Sequence, residues 1–283
     1  MLQTLARLIP MTGDAATLAW AGQIADAYVE EILPANHWLP GYRWDFEKKT
    51  DTGYTRLRDH GNEMIVGLTL LYAVERERGL PGAARREPAV RRMLDRVLES
   101  ANPDGMLFNV VENATLKPKD EKLSDNWGYV YGAIYTFYQL TGEAKYRDAV
   151  RKVLRNLPKY RNWDWENGGM DGYADSIESA IYLVNREPAP EALGWIESEM
   201  KVLTAYQRED GTVERWYGDG NFNRTLLLYA LMKTQGCYLN TWEQGVELGA
   251  SRRGGSLHLT LRSPRVWKGS LSFDFARHRR LFG

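Results

Sequence analysis

The sequence predicts a mainly helical chain: an array of about four stacked helical hairpins followed by a short antiparallel β segment. Three observations lead there. Four segments carry apolar residues around most of a helix circumference, each opening on a polar, glycine-containing cluster: Asp59–Arg78, Asp125–Leu140, Asp171–Arg186 and Asp219–Gln235. Four further segments, about Thr17–Leu33, Val90–Ala101, Glu143–Leu157 and Pro190–Gln207, show one apolar stripe and one charged face. From about Val246 to Phe275 the pattern changes to apolar–polar alternation between glycine and proline turns, as in VELGA, SLHLTL and GSLSFDF.

A helix apolar on nearly every side must be buried on nearly every side, so the first set reads as inner helices and the second as outer ones. The two sets alternate. The later inner helices begin roughly every 45 to 50 residues, the signature of stacked hairpins. The first interval is longer, its excess lying in the loop Met106–Ser124. This divides the chain into a helical domain, 1–243, and a β tail, 244–283.

The connections are unequal. After the first, links from an inner helix to the next outer one are very short, as at Gln139–Glu143 and Arg186–Pro190. Links from outer to inner helices are long and rich in Trp, Tyr, Asp and Gly, as in NHWLPGYRWDFEKKTDTGYTRLR and KYRNWDWENGG. Alternating connectivity puts the long loops on one face, at the N-terminal ends of the inner helices, and long loops of this composition are usually functional.

Composition narrows the partners. The 37 basic residues balance 37 acidic ones, so no net field draws the chain to nucleic acid or an acidic membrane. One cysteine, Cys237, excludes an intramolecular disulfide and a cysteine-rich metal site. No apolar run is long enough to span a bilayer, and MLQTLARLIPMTGD lacks a signal peptide's apolar stretch, so the chain as written reads as cytoplasmic; a truncated N-terminus would allow a periplasmic or secreted location. Aromatic residues exceed what a core of this size needs, leaving a surplus for stacking on a ligand.

The alternation of outer and inner helices, the PDG and EDG turns, and inner helices opening DNWGY or DGYADSIE resemble the α/α-toroid carbohydrate-active enzymes. The resemblance is one of pattern and spans most of the chain. It points to the six-hairpin glycosidases, including the unsaturated glucuronyl and rhamnogalacturonyl hydrolases, and to the toroid polysaccharide lyases with a β domain after the helices. It implies a central cleft at the N-terminal ends of the inner helices, with acidic and aromatic residues around a sugar. Closed toroids of this group use five to seven hairpins, so four imply an open arc or a partial toroid, whose ends self-association or a further domain would cover.

Candidate residues lie at those helix starts. Asp171, Asp175 and Glu178 fall on one face of the third inner helix, and crowded carboxylates suit acid–base work; alternatively Asp171 caps the helix and the others are solvated or salt-bridged. Asp175 leads as a catalytic residue, with Asp125, His60 and Glu178 beside it. Asp59 and Glu63 around His60 read equally well as a capping arrangement, and Asp125 as a cap. Trp127 and Tyr129 offer stacking faces or core packing, and Tyr173 a further contact. In the fourth unit Glu214, Arg215, Trp216, Asp219, Asn223 and Arg224 crowd the rim. An arginine at a helix start opposes the helix dipole, so Arg224 needs a carboxylate, from Asp219, Glu214 or a uronic acid.

Hydrolysis of a glycosidic bond by paired carboxylates is the leading expectation, with no metal and no cofactor. A lyase using His60 or Tyr173 as base, with Arg224 and Asn126 neutralising a uronate, is the rival enzyme; a non-catalytic sugar-binding or scaffold module is the rival outside enzymes. An isomerase or epimerase on a related toroid would require a histidine pair across the cleft, and only His60 sits on an inner helix, which ranks it lower.

Overall fold

The computed structural model describes residues 1–59, 62–165, 169–213, 221–240, 243–253 and 256–273. They form two compact units, 1–207 and 208–283.

The first unit is a double layer of helices. Its inner layer consists of α1 (Leu2–Thr12), α4 (Glu63–Glu77), α6 (Trp127–Thr141) and α8 (Met170–Val184), each packed on the next. Outside them lie α2 (Ala15–Ala27), α5 (Pro81–Glu99), α7 (Ala144–Asn156) and α9 (Pro190–Ala205), each packed on the inner helix before it. A π-helical turn, Tyr28–Ile32, carries α2 into the short α3 (Leu33–Ala35). The core sits between the layers, where Leu68, Leu71, Val90, Leu94, Ile134, Phe137, Val150, Leu154, Ile177, Ile181, Trp195 and Ile196 are fully or almost fully buried.

Two features depart from the sequence reading. The opening residues form an inner helix, α1, which runs parallel to α4: Leu2 and Gln3 lie against Gly67, while Arg78 at the end of α4 donates to the Ile9 carbonyl. Its signal is a single stripe, Leu2, Leu5, Ala6 and Ile9, because within this unit it has an inner neighbour on one side only. The second departure is α5, which begins at Pro81, nine residues before the expected start, so the first inner-to-outer link is as short as the others. Pro81 is tolerated because the first helical N–H has no intrahelical partner, and the interior Pro88 removes only one bond from a helix held by Val90, Met93, Leu94 and Val97 in the core.

The rim loops are structured. Tyr54–Arg56 (β1) pairs antiparallel with Val110–Glu112 (β2), with Tyr54 opposite Glu112, joining the first long loop to the second. At the opposite rim the short links are stapled by charge. Glu187, beyond α8, accepts from Arg147 (2.8 Å) and Arg151 (2.7 Å) of α7 and from the Tyr135 hydroxyl (2.9 Å) of α6. Buried Glu75 of α4 holds Arg86 of α5 at 2.6 Å, and Arg86 reaches Asp26 of α2 at 2.7 Å.

In the second unit α10 (Asn221–Lys233) packs on β4 (Glu247–Arg253). β4 pairs antiparallel with β5 (Ser256–Arg262), and β3 (Cys237–Leu239) pairs with β6 (Leu271–Phe273). α10 packs on a strand, and the helix expected as the fourth inner one groups with the β segment in the unit 208–283.

A close backbone approach sets the spacing of α6 and α8. A Cβ built on Gly128 of α6 would lie 2.4 Å from the Ser179 carbonyl oxygen of α8, well under the 3.0 Å below which something must shift. Gly128→Ala therefore pushes α6 from α8 and destabilises the protein by about 1–3 kcal/mol in urea unfolding, more than the ~1 kcal/mol that alanine gains in helix propensity.

Burial raises the Glu187 pKa, but hydrogen bonds from Arg147, Arg151 and Tyr135 outweigh it and hold the carboxyl below its ordinary value of 4.5. A depressed folded-state pKa gives stability that is present above 4.5 and lost as pH falls through the folded value. The stability gap between wild type and Glu187→Gln is therefore expected to be constant near neutrality and to shrink on acidification below 4.5, measured by urea unfolding across pH.

Candidate functional site

At the N-terminal rim of the first unit, the starts of α4, α6 and α8 converge in one polar network. Asn126 stands at its centre as the residue preceding α6. Its Oδ1 accepts the backbone N–H of Asp59 at 2.8 Å, and its Nδ2 donates to Asp175 Oδ2 of α8 at 2.7 Å. One side chain thus joins the approach to α4 with the second turn of α8. One turn further along each helix, the Tyr129 hydroxyl donates to Glu178 Oε1 at 2.5 Å. Asp175 and Glu178 are buried, Tyr129 half-buried.

Arginines balance the carboxylates. Arg58 lies 2.9 Å from Asp125 Oδ2 and 3.4 Å from Asp59 Oδ2, and Arg56 also donates to Asp59. Asp59 has a left-handed backbone (φ 47°), a conformation costly for a residue with a Cβ and held here by the Asn126 bond and the two arginines. Ser179 Oγ donates to the Asp125 carbonyl at 3.0 Å, and Ser124 Oγ to the Leu57 carbonyl at 2.8 Å, fixing the backbone on both sides of the cluster.

The expected caps are absent. Asn62, Asn126 and Gly169 occupy the capping positions of α4, α6 and α8, and none makes a side-chain capping bond. Asp59 and Asp125 are engaged with arginines instead, and Asp171 falls within the first turn of α8. The physical reason is competition. A charge-assisted bond to a guanidinium at a half-buried rim is stronger than a carboxylate–amide cap.

Other expected roles change with burial. Trp127 is fully buried, its ring set edge-on to Tyr131 with centroids 6.4 Å apart, so it packs the core and offers no face to a sugar. Tyr173 is buried, and its hydroxyl donates to Glu199 of the outer helix α9; burial, then the Glu199 carboxylate, pushes its pKa far up, which unsuits it as a base. The Asp125 side chain is only 1% exposed and is paired with Arg58. Asn223 and Arg224 lie exposed on the first turn of α10, in the second unit. His60, Glu214, Arg215, Trp216 and Asp219 lie outside the described residues.

The sequence reading passed over Arg56, Arg58 and Glu199. The two arginines carried a usable signal, the same as Arg224: cations just ahead of a helix N-terminus oppose its dipole and require carboxylates nearby. Glu199 carried none, since its partners Tyr173 and the Asn162 backbone N–H are distant in sequence. Among the described residues no group of three or more His, Cys, Asp or Glu is arranged to hold a metal ion, and no helix is long and apolar enough to cross a membrane.

Comparisons with known proteins agree on the fold. No protein-family model matches the sequence, and no curated protein does. Among solved structures the chain is similar to a D-mannose isomerase, with TM-score 0.53, 15% identity and coverage of 78% of this chain and 61% of that one. It is also similar to the cellobiose 2-epimerase of Spirochaeta thermophila DSM 6192, with TM-score 0.54, 15% identity and coverage of 82% and 71%. The chain thus spans about three fifths of the length of the D-mannose isomerase. At this identity the likeness establishes the α/α-toroid fold.

If Arg58 neutralises Asp125, Arg58→Met removes the guanidinium from a buried carboxylate and costs about 3–5 kcal/mol in chemical denaturation, while Arg58→Met combined with Asp125→Leu recovers most of it.

Proposed function

We propose that this α/α-toroid chain is a carbohydrate-active enzyme whose reaction takes place at the inner-helix rim of its first unit, with Asp175 as the base. One observation carries the reading: side chains at the start of α6 hold two carboxylates of α8, Asp175 through Asn126 and Glu178 through Tyr129. Amide donation to Asp175 stabilises its ionised form, the form that accepts a proton. The sugar-modifying activities named for the two similar structures support a carbohydrate as substrate.

Within that class we favour hydrolysis of a glycosidic bond in an oligo- or polysaccharide. Asp175 takes a proton from water as the water attacks the anomeric carbon, and Glu178, on the same face of α8, protonates the departing oxygen. Isomerisation or epimerisation of a sugar is the second reading, favoured by the names of the similar structures; there Asp175 takes a carbon-bound proton and returns it, and no bond between sugars breaks. The lyase reading loses Tyr173, which Glu199 engages.

Product analysis separates the two. Incubation with neutral and uronic oligosaccharides, followed by mass spectrometry and NMR, is expected to show chain shortening and new reducing ends. A product of unchanged mass with a rearranged reducing sugar identifies the second reading. In either case Asp175→Asn is expected to lower kcat by about 10²–10⁴-fold with little change in sugar affinity. A variant at wild-type rate removes Asp175 from the chemistry, and sugar binding without turnover in the wild type marks a binding module.

A further inference from the structure

The long loop ahead of α4 holds an aromatic residue that the chemistry above leaves unused. Tyr42 is 43% exposed, yet side chains of the same loop hold its backbone. The Asp51 carboxylate accepts the N–H groups of Tyr42 and Arg43, each at 3.1 Å. Thr55 of β1 accepts the Gly41 N–H at 3.0 Å and donates to Asn113 Oδ1 at 2.7 Å, which ties this turn to the second rim loop. Gly41 has φ 73°, and a Cβ there would lie 2.3 Å from Asp51 Oδ2, so only glycine lets the carboxylate reach beneath the turn. A chain that fixes a large, half-apolar ring in this way and leaves it open to water forgoes the burial that would stabilise it.

The ring's surroundings indicate what it meets. The guanidiniums of Arg43 and Arg56 lie 5.6 and 5.9 Å from its centroid. Arg56 also donates to Asp59, whose backbone N–H reaches Asn126 and through it Asp175. The exposed ring is therefore linked to Asp175 through Arg56, Asp59 and Asn126. The axial C–H bonds of a pyranose present an apolar, weakly positive face that suits the negative face of an aromatic ring, and its hydroxyl oxygens accept from guanidinium donors.

We propose that Tyr42 is a stacking platform for a pyranose ring of the substrate, with Arg43 and Arg56 as hydroxyl-binding flanks. The platform rests on the reading of this rim as a carbohydrate site and extends that site to a loop outside the carboxylate cluster. Phe46 supplies an internal control. It is 63% exposed in the same loop, but at a separate turn built by Asp45, which accepts the N–H groups of Glu47 and Lys48 at 3.0 and 2.9 Å.

The test is glycan-array binding by the wild-type chain, followed by calorimetric titration of the best-bound oligosaccharide into wild type, Tyr42→Ala, Tyr42→Phe and Phe46→Ala. Tyr42→Ala is expected to weaken binding by roughly tenfold or more, while Tyr42→Phe and Phe46→Ala stay within about twofold of wild type. Unchanged binding by Tyr42→Ala, equal losses at Tyr42 and Phe46, or no glycan bound by the wild type overturns the platform. Turnover of the same oligosaccharide is followed separately. Tyr42-dependent binding without turnover keeps the platform and removes the enzyme; turnover with Tyr42-independent binding does the reverse.

Discussion

Gly128 has no side chain, and Ser179 of the neighbouring helix occupies the space where one would be. This contact sets how near the start of α6 comes to α8, and much of the rim depends on it. The bonds Asn126–Asp175, Tyr129–Glu178 and Ser179–Asp125 all lie within a turn or so of it. Hydrogen bonds of under 3 Å between side chains as short as asparagine and aspartate require backbones that approach closely, and a bulkier residue at position 128 would open the gap those bonds span.

From that spacing the electrostatics follow. Asp59, Asp125, Asp175 and Glu178 would repel one another if brought together bare. Arg56 and Arg58 bridge the pair nearest α4, and the amide of Asn126 and the hydroxyl of Tyr129 supply donors to the pair on α8. The result is a division of labour by burial. Asp125 is shut away with its guanidinium, whereas Asp175 and Glu178 are met by neutral donors. The opposite rim uses charge differently: Glu75 is paired with Arg86, and Glu187 with Arg147 and Arg151 beside the Tyr135 hydroxyl, tying outer helices to inner ones.

The architecture was legible because it is periodic. Leu68, Leu71 and Tyr72 in α4, like Ile177, Ile181 and Val184 in α8, recur at helical spacing, and burial on several sides leaves an all-round apolar pattern that needs no knowledge of the neighbours. Where the periodic signal was thin, the reading failed. The helix α1 shows one stripe because it has one inner neighbour in its unit, and the first two turns of α5 were hidden behind Pro81, Gly82 and Pro88, residues that ordinarily mark a break. The same logic left Trp127 open between a stacking face and core packing, and burial decides for the core. A tryptophan at a polar helix start looks like a surface platform until a second helix covers it, whereas Tyr42, in a loop with no periodicity, gave no sign of being both fixed and exposed.

By itself, then, the sequence determined the alternation of inner and outer helices, the gathering of long loops at one rim, the closing β segment, and that acidic and aromatic residues stand at the inner-helix starts. These are properties of spacing along one chain, set by the helix repeat and by loop length. Tertiary structure alone decided which carboxylate meets which partner: that Arg58 takes Asp125, that Asn126 joins Asp59 to Asp175, that Tyr173 turns to Glu199, and that the fourth inner helix packs on a strand. Those pairings join residues about 26 to 67 positions apart, and their energies depend on angstrom-scale distances between backbones that no local pattern encodes.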